Sequence, residues 1–235
     1  MPSIAVAMFL ILSIDPALKT VWDGVYTSEQ AARGEAAYAD SCSRCHRDDL
    51  RGYNGVLVGG RFMDSWREDT LNSFFRNVRK TMPRDAPSSL SDATYLDIVA
   101  YILKANAFPS GKAPLTIETL PDIRVEAKQG PQPVPDFALV SVVGCLRQST
   151  DGSWILIRAT EPVRTRNPGD STTDERKALK PAAGTHQFHM MDIESVHGSA
   201  AKNQLAEAKG FLIRHPDGDK VSLTSLRAVG SGCEP

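Results

Sequence analysis

The stretch Cys42-Ser43-Arg44-Cys45-His46 decides how the first half of this 235-residue chain is read. Two cysteines two residues apart, with a histidine directly after the second, have the spacing that attaches a c-type haem. The chemistry sets the spacing. Each thiol adds across one vinyl group of a porphyrin, giving two thioether bonds. The next residue then stands under the iron and offers it an imidazole nitrogen. The plainer alternative is a redox Cys-x-x-Cys pair, which the surroundings disfavour.

A six-coordinate haem needs a second axial ligand. Met82 lies 36 residues after His46, in Val78-Arg79-Lys80-Thr81-Met82-Pro83-Arg84. A methionine that fills a core usually sits inside an apolar run. Met82 instead has Arg79, Lys80 and Arg84 around it and a proline after it, which suits a loop that turns a thioether toward a metal. Met63, in Arg61-Phe62-Met63-Asp64, is the weaker competitor.

With these pieces in place, residues from about 24 to 108 resemble a single-haem, class I c-type cytochrome domain. The resemblance is carried by Gly34 and Tyr38 before the haem motif, by the motif itself, by Met82-Pro83, and by Tyr95-Leu96-Asp97-Ile98-Val99-Ala100-Tyr101-Ile102-Leu103. It implies three main helices around one covalently attached haem c, with His46 and Met82 as iron ligands. It also implies that Gly34 lets the first helix cross the last closely, near Tyr101. The family often has a proline after the haem histidine whose carbonyl accepts the imidazole N–H. No proline lies between His46 and Met82 here, so another carbonyl must serve, expected near Val56 or Leu57.

Local signals agree with helices. Thr27 and Gln30 have capping-box spacing ahead of an alanine-rich stretch over 28–40. Leu71, Phe74, Phe75 and Val78 share one side of a helix over 70–80. Ser91 caps a last helix that is apolar almost all round. Between them, 48–61 is glycine-rich and turn-forming. Phe62 and Trp66 read equally as haem neighbours or as core.

Composition bounds the rest. The chain is 41% hydrophobic and 23% charged, with a net charge of −1, ordinary for a globular protein and without a global nucleic-acid or membrane-surface signal. Arg76, Arg79, Lys80 and Arg84 nevertheless put four positive charges within nine residues around Met82. On the side where this family exposes its haem edge, such a cluster would steer an acidic redox partner; a plain solvated face is the alternative. Residues 1–23 contain an apolar run, Ile4 to Ile14, too short to span a bilayer comfortably. It reads as an export signal or, if retained, a membrane anchor.

Residues 109–137 hold six prolines and read as a semi-rigid linker without a core. From 138 to 235 the pattern changes to strands, expected at 138–143, 153–159, 185–193, 205–214 and 220–229. About five strands suggest a small antiparallel barrel, similar to an OB-fold. Residues 161–184 read as a long mobile insertion. Cys145 after the first strand and Cys233 after the last are the pair left to form a disulfide, which would mean an oxidising compartment. Twelve basic against eleven acidic residues and few aromatics argue against nucleic-acid binding.

The fold class expected is therefore two-domain α+β. The function expected is an exported, periplasmic electron carrier serving a dehydrogenase or an oxidase, not itself an enzyme. The alternative is a haem-bearing module of a larger periplasmic assembly in which the barrel is the binding part.

Overall fold

The computed structural model of the chain describes residues 19–53, 55–172, 184–230 and 233. The apolar run Ile4 to Ile14 and residues 173–183 of the expected insertion lie outside them. Among the described residues no helix is long and apolar enough to cross a membrane.

The chain opens with β1 (Lys19–Thr20), then α1 (Ser28–Ser41), α2 (Ser43–His46), α3 (Gly60–Trp66), β2 (Asp69–Thr70), α4 (Leu71–Thr81) and α5 (Asp92–Ala105). Each long helix begins on a residue whose hydroxyl accepts an otherwise unpaired N–H: Thr27 for α1, Thr70 for α4, Ser91 for α5. The packing of α1 on α5 is a backbone contact. A Cβ added to Gly34 would stand 1.8 Å from the Asp97 carbonyl oxygen, so only glycine fits there. One turn further along each helix the Tyr38 and Tyr101 rings meet at 5.2 Å. Helix α5 buries Tyr95, Leu96, Ile98, Val99, Ile102 and Leu103, as its apolar residues on all sides require.

The capping box at α1 is only half formed. The Thr27 hydroxyl accepts from the Gln30 N–H at 3.1 Å. The Gln30 side chain goes elsewhere: its oxygen accepts from the Leu115 N–H at 2.8 Å and its amide donates to the Leu115 carbonyl at 3.0 Å. Gln30 is buried, and one side chain thereby satisfies both backbone groups of a distant buried residue.

That contact changes the picture of the linker. Leu115, Leu120, Ile123 and Val125 are buried in the helical core together with Val21. β3 (Ile123–Val125) lies between β1, to which it is parallel, and β2, to which it is antiparallel. The helical body thus extends beyond 24–108 at both ends. The expectation of a coreless linker misses because the prolines interrupt helix and sheet without removing the apolar side chains between them.

The second region comprises β4 (Leu139–Gln148), β5 (Trp154–Ala159), β6 (Val163–Arg164), β7 (His186–Met191), β8 (Leu205–Ile213) and β9 (Lys220–Gly230). The pairing runs β5-β7-β9-β8-β4-β6, and β4 also pairs with β5. Five of these six strands fall where apolar runs and turn signals place them. They enclose a second core that includes Val140, Leu146, Leu156, Phe188, Leu212 and Val221. One expectation fails: the sheet is not wholly antiparallel, because β7 and β9 run parallel. A parallel pair needs a long crossover, and here the segment from 192 through β8 provides it. Cys145 and Cys233 are joined, with Cα atoms 5.6 Å apart across a sequence separation of 88.

The start of the expected mobile insertion is also tied down. β6 pairs with β4. Ser171 donates to the buried Glu207 at 2.8 Å, beside a similar bond from Ser141 at 2.7 Å. Before Ser171, two arginines reach the helical region. Arg164 donates to the carbonyls of Arg67, at 2.8 Å, and Asp64, at 3.0 Å. Burial, with Arg166 and Arg67 nearby, pushes Arg164 down to about 10, still protonated at neutral pH. Arg166 pairs with Asp69 at 2.7 Å.

Candidate haem site

Helices α1, α2, α4 and α5, with the end of α3, surround a cavity of about 260 Å³. α1 ends at Cys42, which starts the single turn of α2, so Cys42, Cys45 and His46 enter the cavity wall from one short segment. Helix α4 ends at Met82, whose N–H bonds the Val78 carbonyl. Met82 also lines the cavity, while Met63 is not among its lining residues and packs against the helical core. The structure therefore brings all four sequence-picked residues to one space, from two elements far apart in the chain.

His46 is buried, and its Nδ1 lies 2.9 Å from the Gly55 carbonyl oxygen. A carbonyl only accepts, so Nδ1 is the donor, and in the neutral imidazole this leaves the Nε2 lone pair for a metal. The acceptor expected near Val56 or Leu57 is thus Gly55, one residue earlier. The loop reaches it through a tight approach: a Cβ on Gly52 would stand 2.2 Å from the Cys45 carbonyl oxygen. Two tyrosines fix the backbone on either side. The Tyr38 hydroxyl donates to the Arg47 carbonyl at 2.8 Å, and the Tyr95 hydroxyl donates to the Met82 carbonyl at 2.7 Å. Periodicity marks both tyrosines as buried faces of helices; it does not show their hydroxyls ending on the two backbone segments that carry the site.

The remaining wall is mostly apolar, with Leu57, Trp66, Phe74, Val78, Ile98 and Ile102. Trp66 is therefore a cavity residue, whereas Phe62 sits behind it in the core, edge-on to Phe74 at 5.4 Å. Burial, and then the neighbouring Cys45, push the Cys42 thiol up to about 11. Cys42 and Cys45 are not bonded to each other.

The donor set fits a haem. Two thiols, an imidazole and a thioether face one apolar space, and soft sulfur with imidazole is the pairing haem iron takes.

The basic residues are spread more widely than their sequence clustering suggests. Arg84 lines the cavity, Arg76 and Lys80 are exposed one turn apart on α4, and Arg79 pairs with Asp92. Arg44 and Asp85, also in the wall, form a further ion pair that sequence reading does not pick out.

The helices, the motif and the methionine loop define a c-type cytochrome domain. Residues 29–102 match the family model described as cytochrome C oxidase, cbb3-type, subunit III, and this part of the chain is a cytochrome c domain. No curated protein matches the chain. Among solved structures the chain is similar to the sulfane dehydrogenase SoxCD from Paracoccus pantotrophus, at 24% identity, over 44% of this chain and 61% of that one, with a TM-score of 0.33. A score that low fixes neither fold nor function.

Proposed function

We propose that the protein is an exported electron carrier with one haem c, held covalently by Cys42 and Cys45 and ligated by His46 and Met82. The carrying observation is the convergence of these four residues on a single apolar cavity, with the His46 tautomer set by Gly55. When bound, haem supplies reversible one-electron chemistry between ferric and ferrous states. The chain's residues do the rest. Cys42 and Cys45 would hold the haem through thioether bonds, each thiol adding as sulfur and hydrogen across a vinyl double bond with no net oxidation. His46 offers Nε2, and the Tyr95 bond holds the Met82 backbone in place. The apolar wall keeps water out and, together with a methionine ligand, favours the less charged ferrous state.

The disulfide supports export, since such bonds persist in oxidising compartments. Arg76 and Lys80, exposed on α4, with Arg84 at the cavity and Arg79 sharing its charge with Asp92, form the docking face for an acidic redox partner, a dehydrogenase or an oxidase. The circuit of five strands, with β4 paired to both β5 and β8, is best read as a small OB-like barrel appended to the carrier.

The test is acid denaturation of the purified holoprotein followed by organic extraction. Haem stays with the polypeptide; its release into the solvent would overturn covalent attachment. Ferric protein should also show the weak near-infrared sulfur–iron band, which vanishes in Met82→Ala and survives in Met63→Ala.

A further inference from the structure

Arg166 belongs to the segment that leaves β6, yet its guanidinium stands over the Trp66 ring, 4.1 Å from the centroid. Trp66 walls the haem cavity. The guanidinium is held at three points: it lies on the ring, it donates through Nε to Asp69, and it donates to the Ser65 carbonyl. A planar guanidinium suits this combination of stacking and forked donation; a lysine would keep only the charge. The Asp69 side chain is only 5% exposed and that of Arg166 41%. The anion is thus shielded from solvent while the cation is partly screened, so their field reaches the cavity side more strongly than a surface pair would allow.

We infer that Arg166 is a positioning residue for the haem site, pinning Trp66 against the cavity and placing a cation behind its ring, so that the β region helps to set the haem reduction potential. The inference rests on the proposed haem reading. Its sign follows from charge. Ferric haem carries one more positive charge than ferrous, so a nearby cation disfavours the ferric state and raises the potential. A nearby carboxylate lowers it. Arg166 and Asp69 therefore act in opposite directions on the same centre.

The experiment is a redox titration of the full-length holoprotein, followed by visible absorbance. Arg166→Gln leaves Asp69 unpaired and is expected to lower the midpoint potential. Asp69→Asn leaves Arg166 unpaired and is expected to raise it. Arg166→Lys should lie between Arg166→Gln and wild type. Lys202→Gln is the control, because Lys202 makes the same kind of contact, 5.7 Å from the Trp154 ring, inside the β region. It should leave the potential unchanged. Shifts of the same sign in Arg166→Gln and Asp69→Asn, or none in either, would overturn the inference and leave Arg166 a structural tie. Should Arg166→Gln fail to fold, Asp69→Asn decides alone, a rise supporting and any other result overturning. Absence of covalent haem from the wild type would instead overturn the proposed function, so the two failures are distinguishable.

Discussion

The helical region and the β region are held together in different ways. The helical region is built around a cavity: all five of its described helices face it, and its walls carry thiols, an imidazole and a thioether. The β region is held by its own parts, a continuous set of strand pairings and a disulfide. A region organised around a cofactor must place a few reactive side chains at fixed spacings, and those spacings are visible in the chain. A region organised around its own sheet needs only alternation of apolar residues, which many sequences satisfy and which names no chemistry.

The sharpest way to break this contrast is to remove the cofactor. Cys42→Ala with Cys45→Ala should abolish haem that survives acid and organic extraction. It should also unfold the helical region at a lower temperature, since the apolar wall then loses the covalently held group it packs against. The far-ultraviolet strand signal of the β region should persist on heating. Simultaneous melting of both regions would show that Arg164, Arg166 and the bond from Gln132 N–H to Glu68, 2.9 Å long, fuse them into one cooperative unit.

The converse experiment removes the bridge. Cys145→Ser with Cys233→Ser should destabilise the β region by about 4 to 5 kcal/mol, the chain-entropy value for a loop of this length. Denaturant titration followed by Trp154 fluorescence would read it. The haem spectrum should not change, and a change would mean that the regions share their stability.

A smaller effect probes the segment between them. Gln30→Ala strands both backbone groups of Leu115 in a buried place, at a cost of about 1 to 3 kcal/mol. Limited proteolysis should then cut near Leu115 while leaving 138–172 protected. No change in cleavage would mean that Leu115, Leu120, Ile123 and Val125 hold the segment by packing alone.

The smallest effect concerns rate. Reversing Arg79 and Lys80 to glutamate should slow electron transfer to an acidic partner several-fold at low salt, with the spectrum unchanged. The wild-type rate should fall as salt shortens the screening length to a few ångströms near 0.5 M. A rate indifferent to both would move docking to another face.

The sequence by itself determined what depends on near neighbours. The haem motif is contiguous, the caps at Thr27 and Ser91 act within one turn, and strands show as short runs of apolar residues between turn signals. Cys145 and Cys233 could be paired by elimination, since the other two cysteines had a use. Tertiary structure decided what depends on residues distant in the chain. It chose Gly55 rather than Val56 or Leu57 as the His46 acceptor, because the depth of the loop is set by contact at Gly52. It sent the Gln30 side chain to Leu115, 85 residues away, instead of back to its own cap. It laid β7 parallel to β9 and brought Arg166 onto Trp66. Each of these is a choice among several chemically adequate partners, settled only when packing fixes which of them is within reach.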